Sequence, residues 1–435
     1  MCREIFPNFY NYPKQTLKEN MSGPVIIWII SLISIAGVIL RPFKVTEVVW
    51  AVAGALLLVL LQLISPAEAW TGIHKGTDVY LFLFGMMLLA EVAREERLFD
   101  WLAAKAVVLA RGSARRLFGL TYLVGIVVTV FLSNDATAVV LTPAVAAAVR
   151  AAKVRNPLPF LLICAFIANA ASFVLPISNP ANLVIYGSSI PSLRHWIPRY
   201  LLSSLLSVGV TYLLLYRTQR RELETPLEQT ITLPVLSSTG RSAAWGIGIT
   251  AIVLLASSAW DIPLGLPTAI TGVLTSGFVL FRARKTPVRI ARGISWSVLP
   301  LVAGLFVIVE ALNKTGLIRV LEQFLEHAVT RDAVGATWGS GIGIALISNL
   351  MNNLPSGLIA ADALQAAHVP EMVRSAVLIG VDVGPNLSVT GSLATILWLV
   401  ALRREGQTVS AWTFLKLGAI IMLPALLAAI AVLWL

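Results

Sequence analysis

Two stretches decide how this chain folds: ANAASFVLPISNPANL at residues 168–183 and DVGPNLSVTGSLATIL at residues 382–397. Each begins inside an apolar segment, meets Pro176 and Pro180 or Gly384, Pro385 and Gly391 among asparagines and serines, then turns apolar again. Proline withholds an amide donor and kinks a helix, so each stretch reads as a helix broken in its middle. The two lie 214 residues apart, and further landmarks repeat at nearly that distance. GMMLLAEVAREERLFDWL at 85–102 lies over GLFVIVEALNKTGLIRVL at 304–321, with Gly85, Glu91, Leu98 and Leu102 on Gly304, Glu310, Leu317 and Leu321, an offset of 219. LSNDAT at 132–137 lies over LMNNLP at 350–355, an offset of 218. Identities are few, but three landmarks in one order at nearly constant spacing indicate a duplicated unit.

Composition says where that unit lives. The chain has 435 residues, 57% hydrophobic and only 13% charged, against about 25% charged in a soluble domain. Its mean hydropathy is +0.83. Apolar runs at 24–40, 48–61, 243–259, 298–309 and 417–435 approach the ~20 residues that carry a helix across a bilayer. Lipid leaves a strand edge unsatisfied, so runs of this kind specify helices. The net charge of +11 would suggest nucleic acid in a soluble chain. Here the basic residues cluster between apolar segments, which is an orientation signal instead. No nucleic acid, cofactor or metal is implied. The four histidines have no partner at i+4, and no GxxxxGK[ST] loop or GxSxG elbow occurs, so zinc hydrolysis, ATP hydrolysis and acyl transfer lack their motifs. An intramembrane enzyme lacks a nucleophile–base pair. Residues 1–20 show no cleavable signal pattern, and either Met1 or Met21 could be the native start.

The basic clusters orient the segments. Arg111, Arg115 and Arg116 precede segment 117–149, and Arg150, Lys153 and Arg155 follow it. Both ends read as cytoplasmic, which a re-entrant hairpin with Ser133-Asn134-Asp135 at its tip can satisfy and a single crossing cannot. Non-helical backbone at that depth is tolerated where it lines a cavity or is buried in protein. Alternation outward from this hairpin puts 23 of the 33 Lys and Arg inside. Spans are expected at 24–40, 45–64, 78–93, 157–190 and 197–216, with a short amphipathic helix near 96–110. Five crossings plus a hairpin make the second half enter from the opposite side, with its hairpin tip at Asn352-Asn353. The fold expected is an all-α polytopic membrane protein. It has two inverted repeats, about ten transmembrane helices, two re-entrant hairpins and discontinuous helices, the construction of a secondary transporter. Its parts are an N-terminal tail (1–23), repeat 1 (24–216), a cytoplasmic linker (217–242) and repeat 2 (243–435).

Polar groups in lipid are expensive and mark function. Candidates for binding substrate are Asn134, Asp135 and Thr137; Asn169, Ser178, Asn179 and Asn182; Asn352 and Asn353; and Asp382, Asn386 and Ser392. Asparagine and serine also glue helices together, so each must be weighed against that role. Asp135 and Asp382 are the only acids placed near the bilayer centre, with no Lys or Arg in these clusters. Each could carry a proton or hold a cation. Glu91 and Glu310, at matched span ends, are further coupling candidates, although a carboxylate at a helix end can also sit idle in water. Trp196 and Trp412 read as interfacial anchors, and the glycines of GSGIG at 339–343 as close helix packing.

GVDVGPNLSVTGSLATILWLVAL at 380–402, SNDATAVVLTP at 133–143 and SNPAN at 178–182 resemble ArsB-type arsenite and antimonite permeases of the ion transporter superfamily, over nearly the whole chain after the tail. The resemblance implies efflux of arsenite and antimonite across a bacterial inner membrane, proton-coupled or in association with an ArsA-type ATPase on the cytoplasmic side. Ser-Asn-Asp and Ser-Asn-Pro stand where the superfamily's dicarboxylate carriers have Ser-Asn-Thr, and Asp135 would repel a dianion. Asn386 stands where many arsenite permeases carry lysine. A sodium- or proton-coupled organic anion carrier and a passive arsenite facilitator are the alternatives. Arsenite near neutral pH is mainly an uncharged triol, suited to amides, hydroxyls and carboxylates. A thiolate trap needs several cysteines, and Cys164 alone lies in an apolar segment. Cys164→Ser is therefore expected to keep full arsenite resistance in cells expressing it at the normal level; lost resistance would refute a thiol-free route.

Overall fold

The computed structural model describes residues 22–187, 190–224 and 234–435; both possible starts, Met1 and Met21, and residues 225–233 of the linker lie outside them. Every regular element among the described residues is helical. The first half runs α1 (Ser22–Leu40), α2 (Glu47–Leu60), α3 (Pro66–Lys75), α4 (Thr77–Glu95), α5 (Leu98–Ala110) and α6 (Ala114–Phe131). A break at Leu132 and Ser133 follows. Then α7 (Asn134–Ala136), a π-helical stretch (Thr137–Leu141) and α8 (Thr142–Ala151) form a second arm. Next α9 (Leu158–Ala170) and α10 (Pro180–Tyr186) flank a break holding the turn Pro176–Ser178, and α11 (Leu193–Gln219) ends in the turn Arg220–Glu224.

The second half repeats that order: α12 (Ser238–Ala259), α13 (Gly265–Ala283), α14 (Val288–Gly293), α15 (Val298–Lys314), α16 (Leu317–Arg331), then α17 (Ala333–Met351) and α18 (Asn353–Ala366) about a break at Asn352. α19 (Glu371–Val383) and α20 (Leu393–Arg404) flank the turn Gly384–Leu387, and α21 (Ala411–Ala431) closes the chain. Among the described residues seven helices are long and apolar enough to cross a membrane, or up to nine if the bent pairs α3–α4 (51°) and α15–α16 (74°) each count as one span. About ten were expected. Two further apolar helices, α2 with 14 residues and α9 with 13, are shorter.

The halves interlock. α4 packs along α13 while α15 packs along α2, and α11 lies against α21. A Cβ on Gly85 would meet Thr268 O at 2.3 Å, and one on Gly304, its repeat mate, would meet the Ala51 carbonyl carbon at 2.8 Å. The register extends to single hydrogen bonds. Thr129 and Thr137 share one across the first break (2.8 Å), and Ser348 and Ser356, each 219 residues on, share one across the second (2.9 Å). The offset at this landmark is thus 219 rather than 218, which sets Asn134 on Asn353 and leaves Asp135 opposite Leu354. Gly341 of the GSGIG run lies under α19, where its carbonyl oxygen would stand 2.2 Å from a Cβ on Gly380.

Each helix–break–helix unit returns to the side it starts from. Arg115, at the start of α6, bonds Glu224 (3.3 Å), and Asn156, just past α8, donates to Glu222 (3.0 Å). In the second unit α17 starts where α16 ends, and just past α18 the His368 amide donates to Glu326 on α16 (3.2 Å). α5, where a short amphipathic helix is expected, buries seven of its residues against α6 and α8. One expectation needs correction. Trp196 is no interfacial anchor: it is fully buried between Tyr186 and Tyr200 and donates its indole N–H to Phe173 O (3.2 Å). Trp412 is 63% exposed, as an anchor would be.

Backbone cannot yield where two helices touch this closely. A Cβ on Gly272 would lie 2.7 Å from Gly85 O, whereas one on Gly209 meets nothing within 4 Å. Gly272→Ala is expected to destabilise the protein by about 1–3 kcal/mol through overpacking, read as a lower thermal midpoint in detergent, with Gly209→Ala as the neutral control. An unchanged midpoint for Gly272→Ala would contradict the close α4–α13 seam.

Candidate functional site

A helix that starts inside the protein exposes amide donors that need acceptors. Four helices do so, and the side chain at each break caps its own helix. Ser133 Oγ accepts from Ala136 N (3.2 Å), Asn179 Oδ1 from Ala181 N (3.1 Å), Asn352 Oδ1 from Leu354 N (3.3 Å) and Ser392 Oγ from Thr395 N (3.1 Å). The hydroxyls and amides that the sequence concentrates at the breaks thus have a structural duty first.

Behind the caps lies a polar network that ties the two broken helices together. Asn169 Nδ2 donates to Asn386 Oδ1 (3.0 Å) and Thr395 Oγ1 (3.2 Å), and its Oδ1 accepts from Ser392 (3.1 Å). Asn386 Nδ2 donates to Phe166 O (2.9 Å). Asn179 Nδ2 donates to Asp382 Oδ1. Asn182 Nδ2 donates to Ser172 O (2.8 Å), and Ser178 Oγ to Val130 O (3.1 Å). All of these side chains are buried. Two atoms in the network are left over: Asn182 Oδ1 and Asp382 Oδ2 are buried without a hydrogen bond among the described residues.

A cavity of about 590 Å³ opens beside this network, within the size range of small-molecule sites. Arg94, Asp100 and Arg404 stand in its wall near the ends of α4, α5 and α20, and Ser133, Asp135 and Pro180 line it where the broken elements meet. Asp135 is half-buried. Its backbone amide bonds Asn134 Oδ1 (2.9 Å), while its carboxylate has no hydrogen bond or ion pair among the described residues. The acids expected to share one site therefore occupy different places. Asp135 lines the cavity, whereas Asp382 is fully buried, held by Asn179, and is not part of the wall.

The remaining candidates divide in the same way. Thr137 is fully buried and spends its hydroxyl on Thr129. Asn353 donates its backbone amide to Gly391 O (2.9 Å), and Asn352 Nδ2 reaches Thr390 O (3.5 Å). Both stand at the second break, outside the cavity. Glu91 lines the cavity and is gripped by Arg94 through Nε (2.8 Å) and Nη2 (2.5 Å). Glu310 pairs with Lys75 (2.6 Å). Neither is an idle carboxylate in water. The reciprocal packing seats them alike: a Cβ on Gly293 would strike Glu91, and one on Gly72 would touch Glu310 Cβ at 3.2 Å. Sequence reasoning missed Arg94, Ser295 and Arg404 as wall residues, since they belong to helix ends and a loop with no motif of their own. Cys164 is free and fully buried.

Residues 25–382 match the family model for citrate transporters, CitMHS. The arsenical pump membrane protein of Yersinia enterocolitica is 28% identical over 377 residues, covering 84% of this chain and 87% of that protein. The arsenical pump membrane protein of Escherichia coli K12 is 26% identical over 398 residues, covering 88% and 92%. Among solved structures, the YdaH transporter of Alcanivorax borkumensis superposes with a TM-score of 0.57 at 15% identity, covering 94% of this chain and 97% of that one. MtrF of Neisseria gonorrhoeae, from a class of antimetabolite efflux pumps, gives 0.52 at 14%, covering 94% of each. At such identities the structural likeness establishes a shared fold.

The network makes its own prediction. Asn169→Ala removes three hydrogen bonds and strands buried partners on Asn386, Ser392 and Thr395, at a cost of about 1–3 kcal/mol. Thermal unfolding in detergent should show the drop, and a variant as stable as the parent would mean that the network does not hold the broken helices together.

Proposed function

Because this chain belongs to the citrate transporter family, and is an integral membrane transporter on that ground, we propose that it exports arsenite and antimonite as neutral trihydroxides across a bacterial inner membrane. One observation carries the choice of cargo. The cavity's arginines, Arg94 and Arg404, stand at helix ends, and Arg94 is already engaged by Glu91, while Asp135 presents a carboxylate with no protein partner. A citrate ion would meet that charge, and the wall's one arginine outside an ion pair among the described residues, Arg404, stands at the end of α20. A triol can donate O–H groups to the Asp135 carboxylate and exchange hydrogen bonds with Ser133. The similarity to arsenical pumps across most of the chain supports the same cargo.

In this reading residues 24–216 and 243–435 are inverted repeats, with linker 217–242 and the Arg94–Arg404 end of the cavity in the cytoplasm. The reciprocal packing and the two returning helix–break–helix units support it. The cavity is then the loading site of an inward-facing state in alternating access. Asp135 meets substrate. Asp382, sealed from the cavity and holding one free carboxylate oxygen, is suited to a proton and not to a triol, so substrate and proton use different acids. Asn179 positions Asp382 and at the same time caps α10, whose first residue Pro180 is cavity wall. Protonation can thereby be felt at the substrate site. Work by the permease alone or with an ArsA-type ATPase docked near 217–242 is compatible with this arrangement. The second reading, organic anion carriage, is favoured by the family's description as citrate transporters.

Arsenite resistance of cells expressing single variants tests the assignment. Asp135→Ala and Asp382→Ala are each expected to abolish resistance while the protein stays in the membrane at the parent level. Protection equal to the parent by both variants would overturn it, and uptake of labelled citrate lost in Asp135→Ala would favour the second reading.

A further inference from the structure

A second cavity, of about 260 Å³, is lined by residues at the other end of the same two helices that bound the first. His74, Lys75, Asp78 and Asp261 give it a polar wall. On α4, Val79 lines this cavity and Phe82 the loading cavity; on α10, Leu183 lines this cavity and Pro180 the loading cavity. Both pairs are three residues apart, so residues lining the two cavities are separated by about 4.5 Å along the axis of either helix. Val79, Phe82 and Leu183 are buried in one shared apolar core.

The geometry points to this single turn, where α4 meets α10, as the gate that closes the exit, and to the second cavity as the vestibule into which cargo is released. The moving side is α10. α4 is pinned to α13, since a Cβ on Gly265 would meet Asp78 O at 2.3 Å and one on Gly272 would meet Gly85 O at 2.7 Å, and Asp78 Oδ1 accepts from Gly265 N (2.7 Å). α10 has only seven residues and is bounded by the Pro176–Ser178 break and by Gly187 at φ +55°. It can tilt as a unit without unwinding a longer helix. Leu183 is the side chain that such a tilt withdraws from the seam. The polar wall beyond it suits a cargo that must re-enter water.

The assignment rests on the proposed transport only in naming which cavity loads; its test needs no cargo. In a background lacking thiols (Cys2→Ser and Cys164→Ser), Val139→Cys reports on the loading cavity and Ile190→Cys on the vestibule. A membrane-impermeant thiol reagent is added to either side of oriented proteoliposomes. With Leu183 in place, each reporter should react from its own side. Leu→Ala truncation in a core removes enough packing free energy to raise labelling of Val139→Cys from the vestibule side about tenfold or more. Leu183→Met should keep the barrier, which separates gating from misfolding. Unchanged sidedness of labelling in Leu183→Ala, with labelling of Val139→Cys from the loading side intact, would overturn the gate. A variant gated as described that still fails to move arsenite would instead count against the cargo.

Discussion

Backbone broken inside a membrane protein has to find its hydrogen bonds within the protein, and that requirement shapes the centre of this structure. Ser133, Asn179, Asn352 and Ser392 satisfy the helices that begin at the four breaks. Asn169 and Asn386 then join the two broken helices of opposite halves. The result is a polar knot in apolar surroundings. Among the described residues the knot is incomplete at Asp135 on the cavity wall and at Asn182 Oδ1 and Asp382 Oδ2 behind it, and there polar capacity is left over.

The interlocking of the halves gives this knot its setting. Glycines on α4 and α13 let two backbones touch, so the wall facing α10 is fixed, while the short helix α10 carries both the Asp382-binding Asn179 at its start and Leu183 in the seam. In the proposed transport, a change at Asp382 is one side chain away from the loading cavity and one helical turn away from the exit. Coupling over such a distance needs no long relay; a single short element with two positions suffices.

The sequence made the breaks legible because proline, glycine and asparagine leave strong marks in apolar segments. Basic residues flanking 117–149 revealed a unit whose two ends are tied to Glu222 and Glu224. What the sequence could not tell is which way each polar side chain turns at a break. Two residues' rotation puts Asp135 on a cavity and Thr137 against Thr129. Trp196 was misread because indole serves at interfaces and in cores alike, and only its buried partners Tyr186 and Tyr200 decide between them.

In the proposed export a proton at one acid drives a neutral triol past another. Purified protein in liposomes with equal arsenite on both sides and an imposed pH gradient measures this coupling. Net accumulation of arsenite on the more acid side is expected, and it should stop when Asp382 is replaced by asparagine. Arsenite that stays equal on both sides under the gradient, while the same vesicles dissipate an arsenite gradient when one is imposed, would contradict it.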